Sequence, residues 1–244
     1  MIRVALAGHR GRVGSALAPG LAAEPDLVYV GGVGREDDLA AFLARERPAA
    51  LIDFTRPEAA LGHALQAAAQ GVIPIVGTSG LSEADVDTLG EACGRAGCGG
   101  IVAPNFALGA VVMMWLAERA APFFEAVEVI ETHQTAKVDA PSATALATAR
   151  LIARQRTFDH PPALRELVSG SRGGEHSGVG LHSLRLPGVI ADQEVIFGLP
   201  GQTLALTHRT TSREAYLPGV LLALRSLVLD PRFHRGLETL LDLR

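Results

Sequence analysis

Two stretches of this 244-residue chain carry residues whose types and spacing could do chemistry. In the first, three glycines punctuate Gly8-His9-Arg10-Gly11-Arg12-Val13-Gly14. Glycines so placed permit a tight turn between a strand and a helix, where free amides favour a pyrophosphate. The spacing is GxxGxxG rather than the commoner GxGxxG, because His9 and Arg10 fill the intervening places. Turns of this kind also serve packing, so the loop by itself leaves both roles open. In the second stretch, His133 precedes Lys137 by four residues, and Ser142-Ala143-Thr144 opens an alanine-rich run. An imidazole exchanges a proton near working pH. An ammonium offers a compact positive charge to a carboxylate, and the free amides of a helix start can cradle one. Taken singly, His133 reads as a structural histidine and Lys137 as a solvated lysine. Together with the helix start they have the parts for proton transfer beside a bound anion.

These groups need a scaffold. Up to about Ala103, short apolar runs alternate with longer amphipathic ones. Strands are expected at Ile2–Ala7, Leu27–Val33, Ala49–Phe54, Val72–Val76 and Ile101–Ala103. Helices are expected from the glycine loop to near Pro25, at Leu39–Arg47 and at Glu58–Gln70, with Ser82 and Asp85 marking another start. Pro19-Gly20 should weaken or kink the first helix. The alternation argues for a Rossmann-like, doubly wound parallel sheet with ligands at its carboxyl edge. The pattern then changes to a helix at Gly109–Ala121, an extended Ala126–His133 and a helix at Ser142–Gln155. Glycine-punctuated β runs follow at Gly178–Leu186, Gln193–Phe197 and Thr203–His208, then a helix at Arg213–Leu227 that can return to the first domain. The expected class is α/β: a dinucleotide-binding domain over 1–105 and 214–244, and an α+β domain with an open mixed sheet over 106–213.

Composition narrows the function classes. Nearly half the residues are hydrophobic (48%) and the net charge is -4, which gives room for real cores. No basic patch marks a nucleic-acid binder. Met1–Ala7 is broken by Arg3 and lacks a secretory apolar region. Phe106–Ala117 falls short of the roughly 20 residues that span a bilayer. Cys93 and Cys98 are spaced too widely for a CxxC motif and fit a reducing cytoplasm. The expectation is a soluble cytoplasmic protein without a membrane partner. His176, His182 and His208 form no HExxH or tight cluster, so no metal is expected. Met113, Met114 and Trp115 read as core, and Asp53 as the organiser of a turn.

Cofactor choice follows from charge. After the second strand of such a domain, an acidic residue holds the ribose hydroxyls of NAD, whereas arginine suits the 2′-phosphate of NADP. The sequence there is Gly34-Arg35-Glu36-Asp37, with Arg10 and Arg12 in the glycine loop. A guanidinium fork matches a phosphate, so the reading is NADPH. NADH is the alternative, with Glu36 or Asp37 as ribose ligand.

The segment from Glu131 to Ala145 reads Glu-Thr-His-Gln-Thr-Ala-Lys-Val-Asp-Ala-Pro-Ser-Ala-Thr-Ala. It resembles E-x-H-H-x-x-K-x-D-x-P-S-G-T-A, the signature of the 4-hydroxy-tetrahydrodipicolinate (dihydrodipicolinate) reductase family. Gly8–Gly14, Ile52–Thr55 with Pro57, Val76–Gly80, Ala103–Phe106 with Gly109, His182–Gly188 and Gln193–Gly198 resemble that family in the same order. The resemblance implies an NAD(P)H-dependent reductase of the diaminopimelate route to lysine. Its substrate would be a cyclic imine dicarboxylate, whose two charges call for cations and backbone donors. Hydride addition leaves an enamine-like species that needs a proton. The resemblance further implies that His133 and Lys137 are catalytic, with Gln134, Ser142, Ala143 and Thr144 on the substrate. Gly8, His9, Arg10, Gly11, Arg12, Val13 and Arg35 would bind the cofactor, with Gly77, Thr78, Ser79, Ala103, Pro104, Asn105 and Phe106 at its nicotinamide end. It implies domain closure and a homotetramer built by the second domain's sheet.

Two departures stand out. Gln134 replaces the second histidine, and Ala143 replaces a glycine, so its loop must take ordinary backbone angles or be strained. The interval from Arg35 to Ala49 is also shorter than usual. Glu175-His176 is expected near the substrate mouth. The competing readings are another NADP-linked dehydrogenase of a small amino or oxo acid, and a non-catalytic NADPH-binding paralogue.

Overall fold

The apolar runs of the N-terminal stretch form five parallel strands, and a short segment late in the chain adds a sixth. They are β1 (Ile2–Ala7), β2 (Leu27–Val33), β3 (Ala50–Asp53), β4 (Ile73–Val76), β5 (Gly100–Val102) and, from the C-terminal end of the chain, β11 (Phe233–Arg235). The sheet order is β11-β5-β4-β3-β1-β2. This is a computed structural model describing residues 1–161, 163, 165–241 and 243. Residues 162, 164, 242 and 244, which fall within the expected domain ranges, lie outside the described residues. Strands β3 and β4 are buried along their whole length, as expected of a parallel sheet covered on both faces.

Helices α1 (Gly14–Ala23), α2 (Leu39–Glu46), α3 (Pro57–Ala69) and α4 (Glu83–Ala96) connect successive strands. Each has a local reason to start or stop. Asp38 caps α2 by accepting from the Ala41 amide at 3.0 Å, and Pro57 opens α3 without costing a hydrogen bond. Ser82 and Asp85 form a reciprocal capping box on α4, which Gly97 ends in the left-handed region. Helix α1 runs through Pro19. Leu17 and Leu21, both fully buried, hold it against the sheet through that point.

Two compact units result: residues 1–108 with 213–244, and residues 109–212. The last helix, α7 (Leu217–Leu229), belongs to the first unit. Leu217 fills the space beside Gly20, where a Cβ would lie 2.3 Å from its methyl. Arg225 bonds to Glu24 at 2.6 Å and Asp26 at 2.7 Å.

The second unit carries α5 (Leu108–Ala120), β6 (Ala126–His133), α6 (Ala143–Gln155), β7 (Gly174–His176), β8 (Val179–Arg185), β9 (Ala191–Leu199) and β10 (Gln202–Thr210). Its sheet runs β10-β9-β6-β8-β7, with β6 and β8 parallel and the other pairs antiparallel. Alternation along β6 turns Val127 and Val129 onto one face, where they pack with Ala145, Ala149 and Ile152 of α6. Val195 and Phe197 of β9 join the same core.

Candidate active site

In the first unit the chain leaves β1 at the point where the order of connection reverses, with β2 on one side and β3 on the other. This is the switch point at which doubly wound sheets bind nucleotides. Gly8 has φ +78°, and a Cβ on Gly14 would lie 2.2 Å from the Gly8 carbonyl oxygen. The loop thus closes on itself at a distance that only glycine allows. The His9 side chain crosses to Gly32 at the end of β2, where an added Cβ would stand 2.3 Å away. Its Nδ1 is buried without a hydrogen-bond partner among the described residues. A tight glycine turn, a helix start and an orphaned buried nitrogen all fit a phosphate-bearing cofactor.

Arg10, Arg12 and Arg35 are exposed around this loop. Asp37, one of the two acidic candidates beside Arg35, spends a carboxylate oxygen on the Gly34 amide at 2.7 Å. Its bond holds the turn after β2.

Gly77, Thr78 and Ser79 follow β4, and Ala103, Pro104, Asn105 and Phe106 follow β5. They therefore share the carboxyl edge of the sheet with the glycine loop. Phe54, just past β3, lies between them: its ring occupies the space that a Gly77 side chain would need, 2.2 Å from the ideal Cβ. Phe54 meets Phe106 edge-on at 5.7 Å and Tyr216 at 6.1 Å. Beneath the ring, buried Asp53 accepts from the Thr55 amide at 2.9 Å and the Thr78 hydroxyl at 2.9 Å, and pairs with His63 Nδ1 at 2.8 Å. Asp53 thus organises its turn and also fixes the loop after β4. Ala103 donates to the Val76 carbonyl at 3.0 Å, and Asn105 Oδ1 accepts from the Ala107 amide at 2.8 Å.

In the second unit, His133 ends β6, and the segment 134–142 leads to α6. Lys137 donates its amide to the Gln134 carbonyl, which closes a turn. Its ammonium bonds to both Asp139 oxygens at 2.8 and 2.9 Å, and that bond holds the Asp139 carboxyl below its ordinary range. Ser142 caps α6 by accepting from the Ala145 amide at 3.1 Å. Ala143 is the first residue of α6. Among the described residues only Arg47 and Ser177 combine a side chain with positive φ, so Ala143 takes ordinary angles. Thr144 follows in the first turn, and its carbonyl accepts from Thr148.

Glu131 binds these pieces together. It lies two residues before His133 on the same face of β6 and is 1% exposed. Its Oε2 meets His133 Nδ1 at 2.5 Å. Arg185 of β8 grips both carboxylate oxygens at 2.9 Å, and the Ser142 amide donates at 3.2 Å. Burial alone would raise this carboxyl, but hydrogen bonds from His133, Arg185 and Ser183 outweigh it and hold it at about 2.

His133, Gln134, Lys137, Ser142, Ala143 and Thr144 therefore gather at one end of the second sheet. Glu175 and His176 of β7 line a hollow of about 520 Å³ shared with Ala140 and Pro141 of the 134–142 segment. His182 instead bonds Glu128, at 2.8 Å. Sequence reasoning assigned no role to Glu131 or Arg185. Strand alternation offered a signal for Glu131, two residues from His133; Arg185 lay in the family-like His182–Gly188 segment, but nothing in the sequence joined it to Glu131, 54 residues away.

Residues 2–106 match the family model described as dihydrodipicolinate reductase, N-terminus, and residues 109–241 match the C-terminus model. The 4-hydroxy-tetrahydrodipicolinate reductase of Moorella thermoacetica is 43% identical, over 99% of this chain and 98% of its own. That of Bacillus velezensis is 41% identical over the same shares. A dipicolinate-bound dihydrodipicolinate reductase from Paenisporosarcina sp. TG-14 superposes with a TM-score of 0.88 at 31% identity, over 99% of this chain and 100% of its own. The chain belongs to the dihydrodipicolinate reductase family.

Proposed function

We propose that the chain is a 4-hydroxy-tetrahydrodipicolinate reductase, reducing a cyclic imine dicarboxylate with NADPH in the diaminopimelate route to lysine. The observation that carries this reading is the Glu131–His133 pair beside Lys137 and the α6 start, within the family's own signature. The glycine loop, His9 and Val13 would hold the pyrophosphate. Arg35, with Arg10 and Arg12, would face the 2′-phosphate, which the engagement of Asp37 in its own turn supports. Gly77–Ser79 and Ala103–Phe106 would line the nicotinamide end. Bound NADPH would supply a hydride, two electrons with one hydrogen, to the conjugated carbon of the dihydrodipicolinate that forms when the 4-hydroxyl leaves as water.

The chain's own groups do the rest. With Nδ1 turned to Glu131, His133 has Nε2 available to donate the proton that balances the hydride. Lys137, aimed by Asp139, offers its ammonium to a substrate carboxylate. The amides of Ala143 and Thr144, at the positive end of α6, receive the same kind of charge, and Gln134 adds a side-chain amide. Ser142 holds that helix end in shape.

The working assembly is a homotetramer in the cytoplasm. No helix of the described residues is long and apolar enough to cross a membrane, and both cysteines are free and buried. The face of the second sheet away from α6 carries Ile130, Leu184 and Ile196, Leu184 being 40% exposed. These apolar side chains, set among charged ones such as Glu128 and Glu194, suit pairing with another copy.

The test follows NADPH absorbance with freshly generated 4-hydroxy-tetrahydrodipicolinate. Turnover by the wild type, lowered about 10²–10⁴-fold by His133→Ala, is expected. Tight NADPH binding without turnover on this substrate would overturn the assignment and favour a retired paralogue.

A further inference from the structure

We propose that Glu131, gripped by Arg185, is the positioning residue that fixes the ring of His133 and couples it to the segment bearing Lys137. The inference rests on the reading of His133 as proton donor and goes beyond it, because it assigns work to two residues that do not touch substrate.

The geometry has three parts. Strand alternation puts Glu131 and His133 on one face of β6, so the short 2.5 Å bond to Nδ1 costs no rotation of the strand. Glu131 is buried, and its oxygens are taken by His133, both arms of Arg185, and the Ser142 amide. A carboxylate held ionised has no proton to give, so the ring must donate from Nδ1. Nε2 alone is then left to exchange a proton with a ligand. Arg185 closes the device. Its Nη2 also donates to the Asp139 carbonyl at 2.6 Å, and its Nη1 to its own strand at Leu184 O, 2.6 Å. One guanidinium therefore ties β8, the buried carboxylate behind His133 and the segment that carries Lys137. A shift of any one member is transmitted to the other two.

A merely structural ion pair would make the same contacts, so the test must read something that stability does not move. The charged groups around His133 are Glu131 on its own strand, Arg185 from β8, and Asp139 with its partner Lys137 from the following segment. A role in folding alone would not set which ring nitrogen of His133 carries the proton, nor lower kcat while sparing the substrate KM.

The experiment measures kcat and KM for NADPH-loaded wild type, Glu131→Gln, Glu131→Asp and Arg185→Lys. It also records nitrogen-15 spectra of the His133 ring. For Glu131→Gln, kcat falls about 10–100-fold, the scale for groups that orient a reacting residue, while the substrate KM stays within about threefold. Glu131→Asp recovers part of the loss. In the neutral wild-type ring, Nδ1 carries the proton. Wild-type kcat in Glu131→Gln would overturn the inference, as would a neutral ring protonated at Nε2. If Glu131→Gln does not fold, the wild-type ring spectrum decides alone. If the wild type shows no turnover, the reductase reading falls, and the same spectrum still judges the pairing of Glu131 with His133.

Discussion

Replacing Gly14 by alanine sets two effects of opposite sign against each other. Gly14 is the first residue of α1, and alanine is the better helix former by up to about 1 kcal/mol. Against this, the new methyl would lie 2.2 Å from the Gly8 carbonyl oxygen, 2.8 Å from the Gly8 carbonyl carbon and 2.8 Å from the His9 Cα. All three are backbone atoms of the turn, so no side chain can rotate away. To regain ordinary contact the loop and the helix must part by roughly 1 Å, and overpacking of this kind costs about 1–3 kcal/mol. The clash wins. Gly62→Ala is the matched control: Gly62 lies inside α3 with ordinary angles and nothing within 4 Å of its added Cβ, so it should gain about 0.5–1 kcal/mol. Thermal unfolding and a fluorescence titration with NADPH measure both. Gly14→Ala should lower Tm and raise the Kd for NADPH about 10–100-fold, since the loop that opens is the one proposed to hold the pyrophosphate. Gly62→Ala should raise Tm and leave Kd unchanged. Unaltered Tm and Kd in Gly14→Ala would refute the closed turn described here.

Acid should loosen the second unit through Glu131. Its carboxyl is lowered from 4.5 to about 2 in the folded chain, so its stabilisation is complete above the unfolded value and is lost as pH falls toward 2. That loss is at most about 3 kcal/mol, and urea titrations at pH 5 and pH 2.5 should show a smaller drop for Glu131→Gln than for the wild type. Phe197→Ala, which empties a fully buried position between β9 and its neighbours, should cost about 3–5 kcal/mol by denaturant titration. Ile196→Lys, on the opposite face of the same strand, should leave the monomer folded and reduce its mass in light scattering to that of a smaller assembly. A tetramer as stable as the wild type would mean that this face is not the interface.

What the sequence disclosed depended on how local its cause was. Ile2–Ala7, Leu27–Val33 and Ala126–His133 are legible as strands because each is a run of apolar or alternating residues long enough to declare its period. Strands β7 and β11 escaped, since each has three residues and includes charged or polar side chains. Only pairing with β8 and β5 makes them strands. Pro19 did not end the helix: α1 runs through it to Ala23, with Leu17 and Leu21 buried on either side. The candidate site divides the same way. His133, Lys137 and the start of α6 are neighbours in sequence, whereas the Arg185 fork reaches Glu131 across β6 and β8 and follows from sheet register alone.

The two departures from the family signature gain a physical meaning from this register. A glycine before the threonine would be indispensable if the backbone there needed positive φ, but Ala143 opens α6 with ordinary angles and Ser142 supplies the cap. What that position offers an anion is its N–H, which alanine keeps. Gln134 is different, because the change removes a titratable ring next to His133. The buried Glu131–Arg185 pair does not involve Gln134, so the support of the proton donor is independent of the exchange. The reading proposed here therefore assigns Gln134 to substrate affinity alone. Gln134→His should alter the KM for the dicarboxylate while leaving kcat to the Glu131–His133 pair. A Gln134→His kcat changed as far as that of Glu131→Gln would show instead that position 134 shares in proton transfer.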